Sequence, residues 1–109
     1  WTIERHGELA AEAQDTITEL GIDNVTFRVG DGWAGWPEEA PFDAINVAAA
    51  TGEEPPQVLE SQVADGGRMV APVGSREQHL MLAVRDGNRV SRRQLEAVQF
   101  VPLVHGSGE

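Results

Sequence analysis

Hydrophobic and polar positions alternate most regularly between Asn24 and Val29, where Thr26 and Arg28 separate Val25, Phe27 and Val29. A period of two predicts a pleated strand there, and an apolar run led by Ile45 and Val47 predicts another over residues 42–48, both largely buried. Upstream the period lengthens. Leu9, Ala13, Ile17 and Leu20 recur at helical spacing, so residues 7–20 are expected to be helical, following a strand that ends at Trp1-Thr2-Ile3. Glu8 and Glu12 suit the positive N-terminal end of that helix, and Gly21 supplies a left-handed stop. Downstream, Pro55-Pro56 opens a short helix with Val58, Leu59 and Val63 inward. Asp65-Gly66-Gly67 then turns the chain into a buried strand over residues 68–73. The tripeptide Asp86-Gly87-Asn88, flanked by residues 78–85 and 89–98, is a hairpin signal that makes the C-terminal part antiparallel and edge-forming. Residues 100–104 close the ordered chain, and residues 105–109 read as a frayed tail.

The order strand, helix, strand, strand, helix, strand is that of an α/β fold with a parallel sheet under covering helices, here ending in an antiparallel hairpin. Between the two central strands lies an irregular loop with Gly30, Gly32 and Gly35, Trp33 and Trp36, and Pro37 and Pro41. Its glycines satisfy G-x-G-x-x-G directly after a strand, and Glu53 and Glu54 follow near the offset of a dinucleotide fingerprint. That reading fails on chemistry. The fingerprint needs a helix whose N-terminal N–H groups hold a pyrophosphate, and Trp36-Pro37-Glu38-Glu39-Ala40-Pro41 leaves no room for one. Asp31, Glu38 and Glu39 would also repel phosphate.

Composition narrows the choice of partners. The chain has 109 residues, one domain at most, and opens at Trp1 inside an expected strand, which suggests a piece of a longer protein. Its formal charge is −10, and residues 1–65 carry 14 Asp and Glu against two Arg. Nucleic acid is therefore not expected as a partner, because phosphate binding needs a basic surface. All eight cations are Arg and none is Lys. An acidic, Lys-free surface suits a salt-rich, halophilic cytoplasm that screens self-repulsion, and GC-rich coding bias accounts for the same composition. The absence of cysteine fits a cytoplasmic protein without disulfides, and no apolar run approaches membrane-spanning length.

Few side chains stand where chemistry is expected. Glu4 follows a strand and precedes a helix, where open α/β sheets place ligand contacts, so it reads either as an acceptor for vicinal ribose hydroxyls or as a solvated acid favoured by the helix dipole. Asp31, at the matching end of the next strand, reads as an acceptor for an exocyclic amine or as an Asx-turn. Trp33 and Trp36 read as loop packing or a cofactor wall, and Asp43 as a structural hydrogen-bonder. His6, His79 and His105 are far apart in sequence without partners at metal spacing, and no serine sits in a nucleophile elbow. Arg85, Arg89, Arg92 and Arg93 crowd the hairpin, either as a solvated face or as a contact for an acidic peptide.

A resemblance joins these pieces. Ile3-Glu4-Arg5 with Glu8-Leu9, Asn24-Val25, Gly30-Asp31-Gly32 with Gly35-Trp36, and Ala40-Pro41-Phe42-Asp43-Ala44-Ile45 come in family order, followed by Ala49-Ala50. Gly66-Gly67-Arg68-Met69-Val70, Pro72-Val73-Gly74 and Phe100-Val101-Pro102-Leu103 complete the series. Together they resemble the C-terminal half of a protein-L-isoaspartate O-methyltransferase. The resemblance implies a Rossmann-like, S-adenosylmethionine-dependent methyltransferase sheet acting on the carboxylate of isoaspartyl residues in damaged peptides and proteins, the first step of their repair. It makes Glu4 the ribose ligand, Arg5 a neighbouring pocket residue, and Asp31 with Gly32 the adenine-side contacts. Residues 100–104 become the segment returning over the cofactor near the substrate, with Val104 where some members have threonine. It further implies that residues 1–109 are the C-terminal portion of a single domain whose glycine-rich motif, first core strand and N-terminal half precede Trp1, so that the piece alone is inactive. Two alternatives stand beside it: another S-adenosylmethionine-dependent methyltransferase with a small-molecule substrate, and a non-catalytic protein-binding module on a decayed sheet.

Overall fold

A computed structural model describes residues 1–104, and the expected frayed tail at residues 105–109 lies outside the described residues. The chain divides into two compact units, Trp1–Gly32 together with Val104, and Trp33–Leu103.

In the first unit, strand β1 (Thr2–Glu4) pairs in parallel with β2 (Phe27–Val29), and helix α1 (Gly7–Glu19) connects them. Beyond the paired residues, Thr2 N–H donates to Thr26 O at 2.9 Å and Gly30 N–H to Glu4 O at 3.0 Å. β2 is three residues shorter than its alternation suggests. The end of α1 follows the expected chemistry. Gly21 N–H donates to Thr18 O and Ile22 N–H to Ile17 O, the paired bonds of a Schellman stop, with Gly21 at φ +74°. The apolar stripe of the helix is largely uncovered, however. Ala10 is buried and Ile17 half-buried, whereas Leu9 and Leu20 are 52% and 68% exposed. Helical spacing identifies an apolar stripe without establishing that anything covers it.

The second unit is a four-stranded sheet in the order β3 (Phe42–Asn46), β4 (Val63–Val73), β5 (Gln78–Asp86), β6 (Arg89–Val98). β3 and β4 are parallel, and the pairs β4–β5 and β5–β6 are antiparallel, with Gly87-Asn88 closing the expected hairpin between Asp86 and Arg89. Two 3₁₀ turns, Gly32–Ala34 and Pro37–Glu39, fill the loop before β3, and no α-helix forms there. Helix α2 (Gln57–Glu60) buries Leu59 and Glu60. Val58 is 54% exposed and Val63 belongs to β4, so neither joins the helix's inward face as the sequence suggested.

The expected turn at Asp65-Gly66-Gly67 is also corrected: it is an irregularity inside β4. Phe42 pairs with Val63 and Ala44 with Arg68, so four β4 residues lie opposite Asp43 alone. At Gly67 a Cβ would lie 2.7 Å from Asp43 O and 2.9 Å from Ala64 O, a backbone approach that only glycine permits. The core lies on one sheet face, where Val47, Leu59, Val63, Met69, Ala71 and Ala83 pack with Ile45 and Leu103. Burial is otherwise less complete than expected. Val29 in β2 is 44% exposed, and β3 has only two half-buried residues, Phe42 and Ile45.

Candidate functional site

Parallel pairing places Glu4 opposite Val29, so the carboxyl ends of β1 and β2 lie side by side and Asp31 and Gly32 follow two and three residues later. Glu4 is the last residue of β1, and its backbone oxygen receives the Gly30 N–H. Its side chain turns to the start of α1, where Oε1 accepts the His6 N–H at 3.1 Å. His6 is the N-cap, with extended backbone and no side-chain cap, and the Glu4 carboxylate satisfies its main-chain donor. Glu4 is half-buried, and its second oxygen accepts no hydrogen bond among the described residues. One oxygen serves the helix terminus and the other retains its acceptor capacity.

Arg5 adds an unfulfilled donor. Its Nε is buried without a hydrogen-bond partner, while Nη1 lies 3.5 Å from His6 Nε2. A buried guanidinium N–H left unpaired is costly unless something supplies an acceptor. Glu4, Arg5, Asp31 and Gly32 therefore belong to one unit and gather at the carboxyl end of one parallel pair, where α/β sheets bind ligands. Val104 groups with the same unit and is 43% exposed.

Other expectations resolve differently. Asp43 is exposed and its carboxylate has no partner among the described residues, so it is not the structural hydrogen-bonder that was expected. Glu53, which completed the false fingerprint, accepts the Ser75 N–H and hydroxyl. Trp33 Nε1 donates to Leu103 O at 3.1 Å, which ties the tryptophan loop to the segment after β6. His6 caps the start of α1 and His79 lies in β5, and among the described residues no group of three His, Cys, Asp or Glu is arranged to hold a metal. No helix among the described residues is long and apolar enough to cross a membrane.

Sequence reasoning missed two buried glutamines. Gln62 Oε1 accepts the Trp36 N–H and its Nε2 donates to Ala34 O, both at 2.9 Å, so one amide grips the tryptophan loop twice. Gly35 is required between those contacts, since it sits at φ +63° and a Cβ would lie 2.2 Å from Gln62 Oε1. Gln78 holds Phe100 in the same manner. An amide carries no local pattern that announces such a partner; only its burial does.

Comparison with known proteins bears on these features. A family model described as protein-L-isoaspartate(D-aspartate) O-methyltransferase matches residues 1–108. An Aeromonas hydrophila protein-L-isoaspartate O-methyltransferase is 46% identical over 109 residues, covering 100% of this chain and 53% of its own length. A Vibrio cholerae protein of the same name is 48% identical over 106 residues, covering 97% of this chain and 50% of its own length. The chain thus spans about half the length of the curated relatives it matches. Among solved structures, one protein-L-isoaspartate O-methyltransferase aligns with a TM-score of 0.81 at 29% identity, covering 92% of this chain and 32% of its own. A Plasmodium falciparum protein described as such a methyltransferase in complex with S-adenosyl-L-homocysteine aligns at 0.78 and 27%, covering 94% of this chain and 50% of its own. The two architectures agree, and the α/β arrangement with its antiparallel C-terminal strands is a partial Rossmann-like methyltransferase fold.

Proposed function

The chain belongs to the protein-L-isoaspartate (D-aspartate) O-methyltransferase family, and from that premise we propose that the intact protein methylates the carboxylate of isoaspartyl residues in damaged proteins and peptides. The family match over residues 1–108 is the observation that carries this reading. Residues 1–109 then form the C-terminal portion of one methyltransferase domain, and the N-terminal half of that domain is their first partner. The acidic, Lys-free composition fits a cytoplasmic and halophilic setting.

S-adenosylmethionine is the methyl donor in this reading, and the residues present fit it. The unused Glu4 oxygen suits the vicinal hydroxyls of a ribose, and the orphaned Arg5 Nε is an unspent donor beside it. Asp31 and Gly32 serve the adenine side, and Val104 contributes an apolar contact. When bound, the cofactor supplies a methyl group on a sulfonium. The chain's own task is to orient and to exclude water. A peptide carboxylate, with an ordinary pKa of about 3.5–4, is already ionised at neutral pH and needs no general base. Its attack neutralises charge, so alignment and desolvation matter more than proton transfer. A site without a legible acid–base pair is compatible with this reaction.

The test is methyl transfer by the intact protein from S-adenosylmethionine to a synthetic isoaspartyl peptide and to its normal aspartyl isomer. Transfer to the isoaspartyl form alone is expected. Equal transfer to both, or to neither, would reject the substrate assignment. A companion measurement addresses the domain reading: residues 1–109 alone should bind S-adenosylmethionine negligibly by titration calorimetry, and micromolar affinity would contradict it.

A further inference from the structure

Gln78 opens β5 and is 5% exposed, yet its side chain serves a segment outside the sheet. Its Oε1 accepts the Phe100 N–H at 2.7 Å and its Nε2 donates to Phe100 O at 3.3 Å. One amide thus closes on both main-chain polar groups of one residue, as a neighbouring strand would. The regular ladder ends just before, at the pairing of Gln78 with Val98. Beyond Phe100 the chain is anchored again: Val101 O accepts the Ala50 N–H at 2.7 Å, Leu103 N–H donates to Ala50 O at 2.8 Å, and Trp33 Nε1 donates to Leu103 O at 3.1 Å. Ala50 contributes only main chain. Gln78 and Trp33 are the side chains that fix this path, and Gln78 acts at its origin.

We propose that Gln78 is a positioning residue for the methyl transfer, setting the direction in which residues 100–103 leave β6 and so the placement of the segment over the peptide. This rests on the functional reading above and on the resemblance of residues 100–104 to the family's segment near the substrate. A glutamine that merely satisfies core polarity would affect stability alone; a positioning glutamine affects peptide recognition in protein that is fully folded.

Two variants of the intact protein separate these roles. Gln78→Leu removes both bonds at similar volume. At saturating S-adenosylmethionine, and at a temperature where circular dichroism shows it folded, its KM for the isoaspartyl peptide should rise at least about fivefold with kcat within about twofold, as expected when a buried main-chain pair loses its partner. Gln78→Glu gives a pH signature. A neutral carboxyl has one donor and one acceptor and can replace both bonds, whereas the ionised form has no donor and faces Phe100 O. Its KM, divided by that of the wild type at the same pH, should fall toward unity near about pH 5 and climb toward about pH 8, because burial raises the pKa of a carboxyl group placed there. An unchanged KM in folded Gln78→Leu, or a Gln78→Glu ratio indifferent to pH, would overturn the proposal. If Gln78→Leu fails to fold, the Gln78→Glu profile decides. A wild-type protein inactive on the peptide rejects the functional reading, and this inference with it; an active wild type beside unaffected variants rejects only the inference.

Discussion

Glu60 and Arg92 form a two-pronged ion pair between α2 and β6, with Arg92 Nη2 2.6 Å from Glu60 Oε1 and Arg92 Nε 2.7 Å from Oε2. The carboxylate side chain is 5% exposed and the guanidinium 42%. The hydrogen bond to Glu60 holds Arg92 above its ordinary value, against a smaller lowering by desolvation and with a further contribution from the Glu60 charge. A cationic group with a raised pKa contributes stability that is complete below its unfolded value and lost only as pH rises through the folded one.

Arg92→Leu should therefore destabilise the intact protein by about 2–4 kcal/mol, chiefly because the Glu60 charge is left buried and unpaired. The penalty should be constant between about pH 7 and 10, since arginine titrates well above that range. Denaturant melts at three pH values would check this, and a loss below about 0.5 kcal/mol would mean that the pair behaves as an exposed one.

Glu4→Ala in the intact protein should weaken binding of S-adenosylmethionine at least about tenfold, because hydrogen bonds to a charged group are worth about 1.5–3 kcal/mol. Asp31→Ala should weaken it less. Calorimetric titration distinguishes the two, and an unchanged dissociation constant for Glu4→Ala would remove the ribose assignment.

Replacing His6, His79 or His105 by Gln should change kcat by less than about threefold, against the 10²–10⁴ typical of a lost general base. At His6 the bond to Glu4 comes from the main chain and survives the substitution. The rate should also be nearly flat between about pH 6 and 8, where an unperturbed histidine titrates. A hundredfold loss with folding and cofactor affinity intact would mean that the reaction needs a proton acceptor.

If the Lys-free acidic surface is adaptive, the melting temperature of the intact protein should climb steeply from low to molar KCl, as screening relieves the repulsion behind a formal charge of −10. A melting temperature indifferent to salt would favour coding bias.

Elements with their own local chemistry were readable from sequence. The Gly21 stop, the hairpin around Gly87-Asn88 and the strand ends carrying Glu4 and Asp31 depend on residues adjacent in the chain. What escaped depends on distant partners. Leu9 and Val29 lie in correctly periodic segments but are exposed, because period identifies a face and not its neighbour. Asp65-Gly66-Gly67 carries turn residues, yet pairing with β3 makes it an irregularity inside a strand. Gln62, Gln78 and Glu60 are polar residues with no motif, buried because the chain supplies Trp36, Phe100 and Arg92 from 22 or more positions away.

The margins of the four-stranded sheet differ in one further respect. β6 is an outer strand of ten residues, and Arg89, Arg92, Arg93 and Glu96 are spaced along it. Aligning a second copy of this strand in parallel register would set each arginine against its own counterpart, and antiparallel alignment centred between Arg92 and Arg93 would set those two against each other and disturb the Glu60 partner, so the arginines disfavour intermolecular strand addition along this margin. β3, the opposite margin, carries a single charge in Phe42-Asp43-Ala44-Ile45-Asn46. Charge thus closes the sheet to growth along β6 and is nearly absent along β3.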